Sequence, residues 1–405
     1  MPSYDAIVVG AGAIGAATAY HLARGGRSVC VVDAYGVASG VTGAAEGIVG
    51  SVAKRKAGPV TEIVIRSFEA LESLTEQLGH PIEFVRKPGL MVVHDESDAE
   101  VLRAFVLKRQ REGIDIAWVD RATTRALEPG LSDSILGAVY TPAQGLVNPI
   151  QLTHAFLSAA RRFGAQIRIP AQVISMERQG DRLQYIETTM GRLSSEFVVN
   201  AAGSAAGVVA ALAGSNIAIT PKRAQMLVSE ALPIAALRNT IYCGAVVAAG
   251  LNRKTLDFED VPGDERQRSV EVTSNWQLSS FTQTARGNVL FCGGFGFDGG
   301  GVEVDPRVLM AIARNIADVI PAYRGLRIIR AWAGLEPCTP NNLPVIGKSR
   351  EVQNLFHAAG HGNAGVMMSP HTGELIADLV GGSNTPAILA ALERASNGGA
   401  SMAVL

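Results

Sequence analysis

The 405-residue sequence predicts an α/β chain, α+β overall, in which a parallel sheet packed by helices is joined to a second, mostly antiparallel sheet. Three observations lead to this prediction. The chain opens with a short apolar run that ends in a glycine-rich turn and continues into a helical pattern. A second segment of the strand–turn–helix kind occupies residues 196–214. Elsewhere, alternating apolar and polar residues rich in β-branched side chains indicate antiparallel strands.

Composition excludes several functional classes. The formal net charge of −1 provides no basic field that would hold nucleic acid. No run of about 18 apolar residues lacks a charge, so no membrane-spanning helix is predicted, and the N-terminus lacks the features of a signal peptide. The cysteines are too scattered for a zinc site, an iron–sulfur site or a disulfide scaffold: Cys30, Cys243, Cys292 and Cys338. We predict no metal site and a reducing, cytoplasmic setting.

The first element is a dinucleotide-binding pattern. Residues 4–9 read as a buried parallel strand that runs into GAGAIG, where Gly10, Gly12 and Gly15 have the GxGxxG spacing. A helical pattern follows, and the next strand ends at Asp33, 21 residues after Gly12. These parts make the first domain Rossmann-like. The alternative, a glycine-rich helix start that binds nothing, stays open at this point.

Each part of the pattern has a physical task. The first glycine permits the tight turn, the second lets the backbone approach a pyrophosphate, and the third allows helix and strand to pack closely. The pyrophosphate would lie at the helix N-terminus, where unpaired N–H groups favour negative charge. Asp33 would accept hydrogen bonds from ribose hydroxyls, which disfavours a 2′-phosphate and therefore NADP. The pattern alone does not separate NAD from FAD.

Four later segments narrow the choice. Residues 36–50, 196–214, 330–347 and 354–380 follow one another in an order that resembles the D-amino acid oxidase-like family of FAD-dependent amine oxidoreductases. That family includes glycine oxidase, sarcosine oxidases, opine oxidases and D-hydroxyproline dehydrogenases. The resemblance covers nearly the whole chain. It looks nearest to the FAD-containing B subunits of the hetero-oligomeric opine (octopine/nopaline) oxidases and D-hydroxyproline dehydrogenases.

The resemblance implies FAD held mainly by backbone and small side chains, since these allow close approach to the cofactor. The implied cofactor residues near the N-terminus are Gly10, Gly12, Ala13, Ile14, Gly15, Asp33, Ala34, Ser39, Thr42, Ala44, Ala45 and Gly47. Those farther along the chain are Val173, Ala201, Ala202, Gly203, Gly334, Gly362, Asn363, Ala364, Gly365 and Val366.

The C-terminal motif has its own rationale. His361 and the residues after it precede a helix predicted over 366–380. A helix N-terminus directed at the pyrimidine edge of the flavin would stabilise the negative charge that forms there on reduction. His361 would then hydrogen bond flavin or substrate as the candidate catalytic residue. A purely structural histidine is the alternative.

The FAD-binding domain is predicted to be discontinuous, over residues 1–80, 141–215 and 325–405. The substrate domain would comprise residues 81–140 and 216–324, with its sheet facing the flavin. The polar stretch 251–269 within it reads as a solvated loop, with a lid or a subunit contact as the alternative.

The resemblance also implies noncovalent FAD. Monomeric sarcosine oxidases tether FAD through a cysteine at the position of Gly334, and Cys338 lies four residues later, where we expect a packing residue. Heterotetrameric sarcosine oxidases tether an FMN through a histidine near the segment GLVNPIQL, residues 145–152. That segment contains no histidine, so any FMN would also be noncovalent.

The implied reaction is oxidation of a secondary amine or amino acid by hydride transfer from its α-carbon to flavin N5. The resulting imine would hydrolyse to an amine and a 2-oxo acid. Opine oxidases and D-hydroxyproline dehydrogenases remove electrons through Rossmann-like and iron–sulfur partner subunits, so such partners, with an FMN and a cluster, are expected here. The expected location is the cytoplasm, with attachment to the periphery of a membrane through electron-accepting partners.

Other functions stay open at this stage. The same chemistry fits a dehydrogenase or oxidase for D-hydroxyproline, another D-amino acid, sarcosine or glycine. A non-catalytic FAD-binding subunit is an alternative of a different class. A tRNA-modifying or thiazole-type flavoprotein is another, and the lack of basic patches disfavours tRNA.

Glu336 bears on the substrate. Glycine oxidase-like members carry an arginine here, in GLRP, which clamps the substrate carboxylate. A glutamate would instead hold a cationic group, such as the guanidinium of an arginine-derived opine. The alternative is that Glu336 pairs with a nearby arginine or faces water, in which case Arg223 or Arg330 would clamp the carboxylate.

Overall fold

A computed structural model of the chain describes residues 1–52, 58–251, 278–297, 301–382 and 385–397. The strands are β1 (Ser3–Val9), β2 (Val29–Val32), β3 (Ile48–Val49), β4 (Val85–Arg86), β5 (Gly89–Val93), β6 (Ala117–Asp120), β7 (Gly137–Thr141), β8 (Gly145–Leu146), β9 (Gln166–Arg168), β10 (Val173–Gln179), β11 (Arg182–Thr188), β12 (Gly191–Asn200), β13 (Thr220–Ala231), β14 (Thr240–Cys243), β15 (Leu278–Gln283), β16 (Asn288–Gly296), β17 (Ile328–Cys338), β18 (Val345–Lys348) and β19 (Leu355–Ala359). The helices are α1 (Ala13–Arg24), α2 (Pro59–Leu78), α3 (Glu96–Arg111), α4 (Arg121–Leu127), α5 (Pro149–Arg162), α6 (Ala206–Leu212), α7 (Gly244–Leu251), α8 (Pro306–Val319), α9 (Gly365–Val380) and α10 (Ala387–Asn397).

The first sheet has a parallel centre in the order β19-β12-β1-β2-β9. Strands β10 and β11 extend β12 as an antiparallel ribbon, and β18 pairs antiparallel with β19. Strands β2 and β19 and the second half of β1 are largely apolar and buried, as is usual for parallel strands that helices cover. Helix α1 packs against α5 and α9. A Cβ on Gly373 of α9 would lie 2.6 Å from the backbone of Ala17, so small residues set the close approach of these helices.

The second sheet has the order β17-β13-β16-β15-β14-β5-β7-β6. Every neighbouring pair is antiparallel except β14 with β5. The predicted mixed fold, with a Rossmann-like domain and a mostly antiparallel second sheet, is therefore confirmed. Helix α8 covers one side of this sheet, and Ile312 and Ile316 pack there against a core that contains Phe281 and Phe291.

Strand β17 joins the two parts of the fold. Its residues fall within 325–405, which the predicted boundaries assign to the FAD domain, yet they hydrogen bond to β13 of the second sheet. The domain boundaries otherwise stay a prediction. A small third sheet, β3-β8-β4, links the segment after residue 47 to the one before α5. The polar stretch 251–269, predicted as a solvated loop, lies outside the described residues beyond residue 251.

Within the described ranges, no helix is both long enough and apolar enough to cross a membrane.

Candidate active site

A cavity of about 580 Å³ lies between the two sheets, within the range of about 300–1,000 Å³ that is usual for small-molecule and cofactor sites. Val9, Val32, Ala201 and Ala359 bring the carboxyl ends of four parallel strands to one wall. Strands β13, β16 and β17 form the opposite wall. This is the crevice where open α/β sheets bind ligands.

The turn after β1 is shaped by close backbone approach. Gly10 has φ of +114°, and a Cβ on it would lie 2.3 Å from the carbonyl oxygen of Ala201. A Cβ on Gly15 would lie 2.0 Å from the carbonyl oxygen of Gly10. Gly12 precedes the first residue of α1 and has no side chain to cap it. The hydroxyl of Thr42 accepts from the Ala13 amide at 3.1 Å, and among the described residues the helix makes no other side-chain cap contact at Gly12. The turn therefore brings the first residues of α1 to the cavity wall, where a pyrophosphate could meet the helix N-terminus beside Thr42.

Asp33 fixes the second strand end against this turn. Its Oδ2 accepts a hydrogen bond from the Ala11 amide at 2.8 Å. Its Oδ1 accepts from the amides of Tyr35 at 2.9 Å and Gly36 at 3.0 Å. A carboxylate has about four acceptor positions, so capacity remains for one ribose hydroxyl. The turn, the helix N-terminus and this carboxylate together fit the adenosine diphosphate part of FAD.

The loop at residues 41–47 is held on both sides. Trp332 of β17 donates its indole N–H to the Ala44 carbonyl at 3.2 Å. A Cβ on Gly334 would lie 2.7 Å from the Cβ of Ala44, and one on Gly47 would lie 2.1 Å from the carbonyl oxygen of Val147. Backbone and small side chains thus form this wall, which fits a flat ring system laid against it.

His361 is buried next to the start of α9. Its Nε2 lies 3.3 Å from the hydroxyl of Thr372, and it lines the cavity. Burial lowers the pKa of His361 to about 3. The imidazole is therefore neutral near pH 7 and can exchange hydrogen bonds, but it is not a cation there. Its catalytic role stays a prediction.

Most of the predicted residues meet at this one cavity. The residues that line it are Gly10, Gly12, Ala13, Ile14, Asp33, Ala34, Ser39, Thr42, Ala44, Ala45, Gly47, Val173, Ala201, Ala202, Gly203, Gly334, Glu336, His361, Gly362, Asn363, Gly365 and Val366. Gly15 and Ala364 lie behind this lining, where they support the turn and the helix start.

The two arginines proposed as carboxylate clamps are placed elsewhere. Arg223 donates to the carbonyl of Glu303 at 3.1 Å. Neighbouring Lys222 and Ala224 line the cavity, so Arg223 projects from the other face of β13, because successive side chains alternate. Arg330 is exposed, and its guanidinium lies 5.5 Å from the centre of the Trp332 ring. Neither arginine is among the described residues that line the cavity.

Glu336 forms a largely buried ion pair. Lys222 lies directly opposite it on β13, and Lys222 Nζ is 2.7 Å from Glu336 Oε2. The lysine and glutamate side chains are 20% and 14% exposed. Burial acts to lower the pKa of Lys222, but the adjacent Glu336 carboxylate outweighs burial and raises it. The partner of Glu336 is thus a lysine, where the sequence suggested an arginine, water or a substrate cation.

Sequence reasoning missed other residues of the substrate side. Ser280 donates its hydroxyl to Glu46 Oε2 at 2.9 Å, which links the loop at residues 41–47 to the second sheet. The cavity wall also contains residues that no short motif marks: Lys222, Met226, Tyr242, Cys292, Phe295 and Phe297. Cys338, predicted as a packing residue, is buried and reaches the same wall.

A second cavity, of about 640 Å³, adjoins the first. It lies between the loop at residues 38–46, residues 146–150 and part of β17, and Arg330 is on its wall. It therefore includes part of the segment GLVNPIQL.

Comparison with known proteins gives concordant results. The family described as "FAD dependent oxidoreductase" matches residues 5–379. Glycine oxidase from Geobacillus kaustophilus (strain HTA426) is 27% identical over 387 residues, which is 93% of each chain. Sarcosine oxidase subunit beta from Arthrobacter sp is 25% identical over 409 residues, 98% of this chain and 92% of that one. The solved structure of L-proline dehydrogenase from P. horikoshii superposes with a TM-score of 0.82 at 21% identity, over 98% of this chain and 99% of that one.

Proposed function

This chain belongs to the family of FAD-dependent oxidoreductases, and from that premise we propose that it oxidises the carbon–nitrogen bond of an amino acid or a secondary amine that carries a carboxylate. One observation carries the proposal. A single cavity contains both the glycine turn that fits FAD and, on the facing sheet, the Lys222–Glu336 ion pair. A cofactor and a small charged substrate would thus share one enclosed space.

When bound, FAD supplies the hydride acceptor for this oxidation. The residues of the chain bind the cofactor and the substrate, orient them and exclude water. Gly10, Gly12 and Asp33 would hold the dinucleotide. The wall formed by Gly334 and the loop at residues 41–47 would support the flavin ring system. Phe295 and Phe297 add apolar surface to the substrate side, which limits access of water. The oxidised product, an imine, would hydrolyse to an amine and a 2-oxo acid.

The finer proposal is that the substrate is an opine and that the chain is the catalytic subunit of a larger complex. The sequence resemblance to B subunits of opine oxidases supports it. The name of the Arthrobacter relative, subunit beta, marks that protein as part of an assembly. In such a complex, we would place an FMN in the second cavity, of about 640 Å³, beside residues 146–150. An iron–sulfur cluster would then belong to a partner subunit, as the resemblance to opine oxidases implies.

The main alternative is a dehydrogenase or oxidase for D-hydroxyproline, another D-amino acid, sarcosine or glycine. The similarity to relatives named glycine oxidase and sarcosine oxidase subunit beta supports this alternative. An alternative that is not an enzyme is a subunit that binds FAD without catalysis.

An anaerobic reduction assay tests the proposal. The purified protein, alone and with its co-purifying partners, is mixed with glycine, sarcosine, proline, D-hydroxyproline, octopine and nopaline. Loss of the visible flavin absorbance with at least one of them is expected. If none of these compounds reduces the flavin although dithionite does, the proposed amine oxidation is wrong. That result would favour a subunit that binds FAD without catalysis.

A further inference from the structure

We propose that Lys222 and Glu336 together form a zwitterion-binding subsite, in which Lys222 receives the carboxylate of the substrate and Glu336 its ammonium group. The inference rests on the proposed function and refines it, because it states which charges the substrate must carry and which residues read them.

The register of the second sheet places the two residues together. Lys222 on β13 is directly opposite Glu336 on β17, and the neighbouring pair on the same face is Ala224 opposite Gly334. All four line the cavity. The small neighbours leave space in front of the ion pair, so a ligand in the cavity can approach both charged groups from one side.

Both groups retain hydrogen-bonding capacity. An ammonium has three donors and a carboxylate about four acceptor positions, and the 2.7 Å ion pair between Lys222 Nζ and Glu336 Oε2 uses no more than one of each. The ring of Phe295, whose centre lies 4.6 Å from Lys222 Nζ, holds the ammonium from another side. Lys222 is therefore fixed by two contacts and still has a donor for a carboxylate.

The pair is neutral as a whole, and this determines its selectivity. In a mostly apolar cavity, electrostatic interactions are stronger than in water. A ligand with only a negative charge is attracted by Lys222 and repelled by Glu336. A ligand with only a positive charge is attracted by Glu336 and repelled by Lys222. A ligand whose carboxylate and ammonium are close together can satisfy both. The subsite therefore favours amino acids over simple amines and simple acids.

Binding calorimetry on the FAD-containing protein, with the flavin kept reduced so that no oxidation occurs, tests the subsite. The probes are sarcosine, acetate and dimethylamine, which share a size range and differ in charge. Sarcosine is expected to bind at least tenfold more tightly than either other probe, as the loss of one charge-assisted hydrogen bond implies. Equal binding of the three probes, or binding of none, overturns the inference.

Two single variants provide the sharper test. Lys222→Met should weaken the binding of acetate and sarcosine about tenfold or more and strengthen that of dimethylamine. Glu336→Gln should strengthen the binding of acetate and weaken that of dimethylamine. Opposite shifts are the signature of a charge-reading pair. Shifts of all probes in the same direction would show that the pair is only structural, and would overturn the proposal.

A double variant separates folding from recognition. Lys222→Met combined with Glu336→Leu replaces a buried ion pair by apolar groups, which is often neutral or stabilising. It should fold, bind FAD and lose the preference for sarcosine. If it keeps that preference, the subsite is wrong while the proposed function stands. If the wild type prefers sarcosine but no amine reduces its flavin, the proposed function is wrong instead.

Discussion

Replacing Gly10 by alanine perturbs the turn after β1 in two ways at once. The backbone of Gly10 has φ of +114°, and the added Cβ would lie 2.3 Å from the carbonyl oxygen of Ala201. Two other positions separate these effects. Gly15 has no positive φ, and its Cβ would meet the Gly10 carbonyl oxygen at 2.0 Å. Gly26, just after α1, has φ of +83° and no atom within 4 Å of the added Cβ.

The magnitudes follow from this separation. Gly26→Ala should lower the free energy of unfolding by about 1–2 kcal/mol, because a residue with a Cβ is strained in a left-handed backbone conformation. Gly15→Ala should cost about 1–3 kcal/mol, because an overpacked contact must be relieved by backbone shifts. Gly10→Ala should combine both, about 2–5 kcal/mol. The shifted backbone at residues 201–202 lines the cavity, so FAD binding should also suffer.

Urea unfolding of the apo protein and fluorescence titration with FAD measure the two consequences. We expect Gly10→Ala and Gly15→Ala to bind FAD at least about tenfold more weakly, a loss of about 1.4 kcal/mol. Gly26→Ala should bind FAD like the wild type, since its strain lies at the far end of α1. If Gly10→Ala retains the wild-type affinity for FAD, or is no worse than Gly26→Ala, the reasoning about the turn is refuted.

Three further predictions concern the cofactor and pH. Asp33→Asn should weaken FAD binding about tenfold or more, because a charge-assisted hydrogen bond contributes about 1.5–3 kcal/mol; an unchanged FAD titration would contradict the role of this carboxylate. Heat denaturation should release all FAD into solution, in the wild type and in Cys338→Ser alike; flavin that stays with the precipitated protein would show a covalent link. Burial lowers the pKa of His21 and His357 to about 4 and that of His361 to about 3, from an ordinary 6.5. Below pH 6.5 the unfolded chain therefore binds protons that the folded chain does not, and each histidine removes up to about 1.4 kcal/mol of stability per pH unit. The urea midpoint should fall on acidification from about pH 7 to 5, and a constant or rising midpoint would contradict this.

The dinucleotide half of the site could be predicted because its constraints are local. The positive φ of Gly10 and the close contact at Gly15 are consequences of one tight turn between adjacent elements, so they leave a fixed spacing in the sequence. The predicted helix after His361 matches α9, which begins at Gly365. The contact at Gly15 and the start of α9 each depend on residues within about one turn, whereas the approach of Gly10 to Ala201 joins distant parts of the chain.

The substrate half could not be predicted because it depends on register between distant strands. Lys222 meets Glu336 only because β13 and β17 pair with this alignment, and a shift by one residue would expose the opposite face of the strand. Lys222 and Arg223 are adjacent, so they point to opposite faces. The sequence shows two basic residues there and does not reveal which one faces the cavity.

The most direct test of the proposed reaction is a single anaerobic turnover of the FAD-containing protein with an acyclic amine that reduces it. The amount of 2-oxo acid formed is compared with the amount of flavin reduced. If the chain oxidises a carbon–nitrogen bond next to a carboxylate, the two amounts are equal. Reduction of the flavin without formation of a 2-oxo acid would contradict the proposed reaction, and no reduction by any amine would contradict the proposed function as a whole.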